Sequence, residues 1–222
     1  MAQCPVPVEV GPSRLQGLLV VPDAAKGLVI FAHGSGSGRH SPRNNHVAAG
    51  LQAAGFATLL LDLLTPAEEL DRRNVFDIPL LASRLVTATA WAQQNADTSE
   101  LRVGYFGAST GAGAALLAAA MADGRIGAVV SRGGRPDLAG DVLAAVNAPT
   151  LLIVGSLDGD VLRLNREALV QIPAPRRLTI VEGAGHLFEE PGTLDRVVDH
   201  AIDWFSSYLP TGAREVRHAP AS

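Results

Sequence analysis

The chain has 222 residues, 47% of them apolar and 18% charged, with a formal net charge of -4. That is enough apolar material for one sizeable core and too little charge for a disordered chain. Acidic residues and arginines are interspersed without a basic stripe, which excludes nucleic acid as an expected partner. Cys4 is the single cysteine, so neither an internal disulfide nor a thiolate metal cluster is expected. The first residues lack the basic start and apolar run of a signal peptide, and no apolar run is long enough to span a membrane. The composition therefore predicts a cytoplasmic protein without membrane attachment, and leaves its oligomeric state open.

In chain order, two apolar runs at 6–10 and 15–21 flank Gly11-Pro12-Ser13 and predict an opening hairpin. Further strands are predicted at 27–33, 56–62, 102–107, 127–131, 149–155 and 177–182, each leading into a Gly, Ser or Asp turn. Stretches of helical length lie between them, near 43–54, 75–95, 109–122, 137–145, 161–171 and 193–208. This alternation predicts an α/β architecture: a mostly parallel eight-stranded sheet, its last six strands parallel, with helices on both faces. Residues 1–209 read as a single domain and 210–222, which lack periodicity, as a flexible C-terminal tail.

In an open α/β sheet the ligand crevice lies beyond the carboxyl ends of the strands, so the residues following each strand are the candidates for chemistry. After 27–33 comes His33-Gly34-Ser35-Gly36-Ser37-Gly38, and after 102–107 comes Gly107-Ala108-Ser109-Thr110-Gly111. Asp158 follows 149–155, and His186 follows 177–182. Gly107-x-Ser109-x-Gly111 sits between a strand pattern and an Ala-rich helix, the setting of a strained nucleophile elbow. The plainer reading of Ser109 is a helix N-cap. A serine hydroxyl needs a base to accept its proton and a carboxylate to orient that base. His186, in a Gly-rich loop, is the candidate base. Asp158 is the candidate acid, with Asp160 as a rival better placed to cap the following helix. The backbone N–H groups of Ser35 and Thr110 are the candidate oxyanion donors. A phosphate-cradling reading of Gly34–Gly38 lacks the Gly-Lys-Ser/Thr or GxGxxG register. His40 and His46 lack a third ligand at a recognisable spacing, so no metal is expected, and no cofactor.

These motifs, together with Gly155-Ser-Leu-Asp158-Gly-Asp-Val161 and Gly185-His186-Leu-Phe-Glu-Glu190, resemble those of the α/β-hydrolases. Within them the chain is similar to the dienelactone hydrolase-like group of small, lidless carboxylesterase-type enzymes, over Leu28 to about Leu209. The resemblance implies an α/β-hydrolase fold without a large cap domain. It also implies an acyl-enzyme mechanism with Ser109, His186 and Asp158 as the triad, Ser35 and Thr110 at the oxyanion, and a small-molecule ester or thioester as substrate. Dienelactone hydrolases proper use a cysteine nucleophile; a serine at the elbow resembles the carboxylesterase members. A non-catalytic ligand-binding protein and an acyltransferase are the competing readings. Arg132, at a strand end, is a candidate for binding a substrate carboxylate, against pairing with Asp137 or Glu190. Phe188, Phe76 and Leu187 are candidates for an apolar substrate wall, against core packing.

Overall fold

The structure is a computed structural model that describes residues 4–122 and 124–210. Eight strands form one sheet in the order β1-β2-β4-β3-β5-β6-β7-β8. β1 (Val6–Val10) and β2 (Leu15–Val20) form the hairpin, and β2 continues antiparallel onto β4 (Ala57–Leu61). From there β3 (Leu28–Ala32), β5 (Val103–Ala108), β6 (Ile126–Arg132), β7 (Thr150–Gly155) and β8 (Arg176–Val181) are all parallel. β3, β5 and β7 are buried along their whole length, as their unbroken apolar runs require of strands covered on both faces.

The helices divide between the two faces. α1 (Pro42–Ala53) and α7 (Thr193–Tyr208) cover one, where Phe31, Phe106, Val130, Phe188 and Phe205 share a core. α4 (Ile78–Ala92), α5 (Thr110–Met121) and α6 (Gly159–Leu169) cover the other, whose core holds Ile30, Leu59, Tyr105, Leu116 and Val129. Alternation along β6 therefore points Val130 and Arg132 toward α1 and α7, and Val129 and Ser131 toward α5 and α6. None of the described helices is long and apolar enough to cross a membrane.

Three helical expectations need correction. The helix expected from 75 begins at Ile78, because Asp77 caps it through Leu80 N–H and Pro79 fits only its first turn. The stretch before it, expected as loop, carries α2 (Pro66–Glu69) and α3 (Arg72–Val75). The helix expected at 137–145 is instead a 3-10 segment, Pro136–Ala145, broken at Gly140 with φ +61°. The predicted tail lies, beyond Pro210, outside the described residues.

Candidate active site

Ser109 is the single residue between β5 and α5, held at φ 51° and ψ -122°. Such a conformation costs a non-glycine residue about 1–3 kcal/mol and persists only where its surroundings over-determine it. They do so here. Ser109 N–H donates to Arg132 O (3.3 Å), and Ser109 O accepts from Arg135 N–H and Ala112 N–H (both 3.1 Å). A Cβ on Gly111 would lie 2.2 Å from Ala32 O, and one on Gly107 would lie 2.5 Å from Ala112 Cα. Both glycines of the motif are thus demanded by backbone approaching backbone. The Ser109 side chain makes no cap bond to α5, so the N-cap reading does not describe it.

β7 and β8 deliver the other two candidates. Asp158 stands at the N-cap position of α6 yet makes no cap bond, because Oδ2 is turned 2.6 Å from His186 Nδ1. A carboxylate only accepts there, so Nδ1 is the donor and Nε2 is the ring nitrogen left facing away from Asp158. Asp160 is exposed in the first turn of α6 and has no bond to His186. The two loops meet closely: a Cβ on Gly155 would lie 2.2 Å from Ala184 O. His186 in turn packs on the segment that grips Ser109, with its carbonyl oxygen 2.9 Å and its Nδ1 3.6 Å from the Cβ position of Gly133. Elbow, Asp158 loop and His186 loop therefore converge at one end of the sheet.

The glycine loop approaches from β3, with a Cβ position on Gly34 only 3.0 Å from Ser109 Cβ. Ser35 N–H donates to Thr110 Oγ1 at 3.0 Å, while Thr110 N–H heads α5, where a helix offers it no internal partner. The fold makes His33, the first residue of that loop, a brace. His33 Nδ1 lies 3.0 Å from Gly34 O, and Nε2 accepts from Leu63 N–H at 3.1 Å, tying the loop to the end of β4. Asp62 does the same further out, accepting from Arg39 N–H at 2.6 Å and from the Arg39 guanidinium. Beside this loop opens a cleft of about 630 Å³, walled by His33–Arg43 on one side and by Leu64, Glu69, Val75 and Leu81 on the other.

Arg132 is only 7% exposed and has neither of the carboxylate partners considered from sequence: Asp137 pairs with Arg135, and no ion pair joins Arg132 to Glu190. Its Nη2 makes a long 3.4 Å bond to Asn44 Oδ1, and its Nε is buried without a partner. Burial, reinforced by the nearby Arg43 charge, lowers its pKa to about 10. Phe188 is 2% exposed and packs in the α1/α7 core, so its ring is not part of an open wall. Phe76 is 51% exposed at the end of α3, and Leu187 is 41% exposed beside His186. His46 bonds Asp195 (2.7 Å), and no cluster of three or more His, Cys, Asp or Glu suited to a metal occurs among the described residues.

No family model matches the chain. Among solved structures, the dienelactone hydrolase from Anabaena variabilis is 57% identical and superimposes with a TM-score of 0.89, covering 93% of this chain and 100% of that one. Est1E from Butyrivibrio proteoclasticus is 15% identical with a TM-score of 0.77, covering 92% and 98%. The dienelactone hydrolase-like promiscuous phosphotriesterase P91 from metagenomic libraries is 16% identical with a TM-score of 0.74, covering 92% and 98%. These two show the fold alone. A curated Mycobacterium tuberculosis protein, carrying the provisional name of a phosphoribosyl transferase, is 61% identical over 204 residues. That match takes in 92% of this chain but 46% of the relative, so the chain spans about half the length of the curated relatives it matches.

Proposed function

This chain belongs to the dienelactone hydrolase family of the α/β-hydrolases, and on that premise we propose that it is a serine hydrolase cleaving small carboxylic esters or thioesters through an acyl-enzyme. The observation that carries the reading is the 2.6 Å bond between Asp158 and His186, at the same sheet edge as the strained Ser109 elbow. His186 Nε2 takes the Ser109 proton as Oγ attacks the substrate carbonyl, and Asp158 stabilises the imidazolium that forms. The oxyanion is received by Thr110 N–H and by Ser35 N–H, which exchanges the Thr110 hydroxyl for a charged acceptor and a stronger bond. His186 then protonates the leaving alcohol or thiol. Water, deprotonated by the same imidazole, attacks the acyl carbon and releases Ser109.

On the substrate side, an open cleft without a cap suits short acyl groups. Arg132, buried without a counter-ion among the described residues, pairs in register with Ala108, the residue before Ser109, and it supplies a guanidinium for an anionic group on the substrate. The phosphoribosyl transferase name of the longer relatives is read as belonging to the part of those proteins that this chain does not span.

The test is mass spectrometry after a fluorophosphonate probe, with short-chain p-nitrophenyl esters as substrates. An adduct on Ser109, with turnover lost by at least about 10³-fold in Ser109→Ala, is the expected result. Folded protein that neither labels nor turns over would overturn the reading in favour of a ligand-binding protein. Ester products formed with added alcohols would redirect it to acyl transfer.

A further inference from the structure

Asn165 is an anomaly on an otherwise ordinary amphipathic helix. It lies on the buried stripe of α6 with Val161 and Ala168, is wholly inaccessible, and leaves Oδ1 without a partner. An apolar residue there would avoid burying an unsatisfied oxygen. Its amide nitrogen makes two bonds: to Val161 O, one turn back in the helix (2.8 Å), and to Gly134 O (2.9 Å).

The second bond reaches the segment on which the candidate site is assembled. Arg132 O and Arg135 N–H hold the two backbone groups of Ser109, and Gly133 N–H donates to Ile153 O on β7. Gly133 also abuts His186. Gly134 itself fills a space where a Cβ would lie 1.9 Å from Ser131 Oγ and 2.5 Å from Ala112 Cβ. Asn165 makes the only side-chain hydrogen bond to the backbone of residues 132–135 among the described residues, and it does so from the helix that Asp158 heads.

We infer that Asn165 is a positioning residue: by tying Gly134 to α6 it fixes the 132–135 clasp, and through the clasp sets Ser109 relative to His186 and Asp158. This rests on the serine hydrolase reading. The clasp contacts Ser109 at both backbone groups, so a shift in it moves Oγ relative to the imidazole. Displacements of about 1 Å at a reacting atom cost on the order of 100-fold in rate. A neutral ester does not engage Arg132, and its contacts in the cleft beside the glycine loop lie outside the clasp, so for such a substrate the loss falls on kcat rather than KM.

The experiment compares wild type with Asn165→Leu, which fills the space without a donor, and Asn165→Ser, which retains a hydroxyl for Val161 O but is too short for Gly134 O. Thr98→Val is the control: it removes a buried bond to Ala92 O in the segment that leads into β5, at the opposite end of that strand from Ser109. Fluorophosphonate labelling rate, kcat and KM on a neutral short-chain ester, and melting temperature are measured for each. The expected result is labelling and kcat reduced about 10- to 100-fold in both Asn165 variants, with KM within about threefold. Thr98→Val, destabilised to a similar degree, keeps the wild-type rate. Unchanged labelling and kcat in whichever Asn165 variant folds overturns the inference and leaves the hydrolase reading intact. An equal loss in Thr98→Val overturns it as general destabilisation. Wild type that does not label at Ser109 removes the hydrolase reading, and this inference with it.

Discussion

Between Gly107 and Gly111 neither glycine could carry a side chain without striking backbone, whereas between Thr65 and Asp77 neither α2 nor α3 buries a single residue. The elbow is held by long-range contacts with β3, β6 and the 132–135 segment, and it keeps Ser109 in a left-handed conformation. Around it lie the unpartnered Nε of Arg132, Ser131 Oγ and Asn165 Oδ1. The rim of the cleft is held locally: Thr65, Asp71 and Asp77 each cap the helix that follows, and Leu70 stands 86% exposed. One unsatisfied buried group, Arg84 Nε, lies below the rim, but its guanidinium still bonds Ser13 and Glu68. Ser109 and Phe188, two of the four non-glycine residues at positive φ among the described residues, and the unpaired charge of Arg132 lie where chemistry is proposed, while Arg14 and Ala24 take that conformation in turns elsewhere.

The comparison breaks most directly at Gly111. Gly111→Ala places a methyl 2.2 Å from Ala32 O and 2.5 Å from His33 O, both backbone atoms that cannot swing away. A loss of roughly 3 kcal/mol or more in a denaturant melt is expected, or failure to fold. At the rim, Leu70→Ser should stay within about 0.5 kcal/mol. A Gly111→Ala protein within 1 kcal/mol of wild type would mean that the elbow yields, contrary to the contrast drawn between the regions (~1 kcal/mol being the typical cost of any substitution).

Arg132→Met tests whether the elbow region gives up stability for recognition. Replacing a buried, uncompensated charge with a side chain of similar length should raise stability by roughly 1–3 kcal/mol. The same change should abolish any preference for esters carrying a carboxylate over matched neutral ones. The sign with pH follows from the pKa, which burial lowers to about 10 in the fold, well below that of a free guanidinium. Between those values the unfolded chain holds the proton that the folded chain has released, so wild-type stability rises with pH there. Below about 10 the penalty is fully present. The advantage of Arg132→Met should therefore be constant at neutral pH and shrink as pH passes 10. An advantage that grew instead would show that Arg132 is stabilised by a counter-charge.

Ser109→Gly is a smaller probe of the same idea. Glycine accepts φ 51° without a Cβ penalty, so stability should rise by about 1 kcal/mol as hydrolysis disappears. Ser109→Ala keeps the penalty and should melt close to wild type. Equal stabilities of the two variants would place the strain elsewhere.

What could be read in the sequence follows the same division. Strand ends were legible within about two residues, because each apolar run stops at a Gly, Ser or Asp turn. The elbow was legible because its two glycines have a steric reason visible in the spacing. Asp158 is preferred to Asp160 in the sequence because Asp160 reads as the better helix cap, but in the fold Asp158 itself stands at the N-cap position and Asp160 lies in the first turn. Which carboxylate turns from its own helix depends on His186, 28 residues further along the chain. Arg132 was recognised as a strand-end residue, but its burial was not, since arginine is rarely enclosed without a partner. Asn165 was not singled out; its place between Val161 and Ala168 on the buried stripe was the available signal. α2 and α3 escaped because four residues are too few to show a period, although Thr65-x-x-Glu68 is a capping pattern.

Thr65→Ala is the mildest test and bears on the rim alone. Thr65 Oγ1 accepts from Glu68 N–H and donates to Glu68 Oε2, and Thr65 N–H donates to the same carboxylate at 2.8 Å. The substitution removes the two hydroxyl bonds and leaves the backbone bond, with Arg84 still on Glu68 Oε1. A cost near the lower end for a lost cap, about 0.5 kcal/mol, is expected. The backbone bond from Thr65, followed by the Thr65 hydroxyl and Arg84, holds the Glu68 carboxyl below its usual range against the opposing effect of burial. Its contribution is thus present above the unfolded value and is lost as pH falls through the lower folded one. Because the backbone bond survives, Thr65→Ala should retain most of that acid sensitivity in a melt series, and ester turnover should change less than about twofold. A larger change in KM for bulkier esters would mean that α2 and α3 act on the substrate, and the rim would then belong with the elbow rather than stand against it.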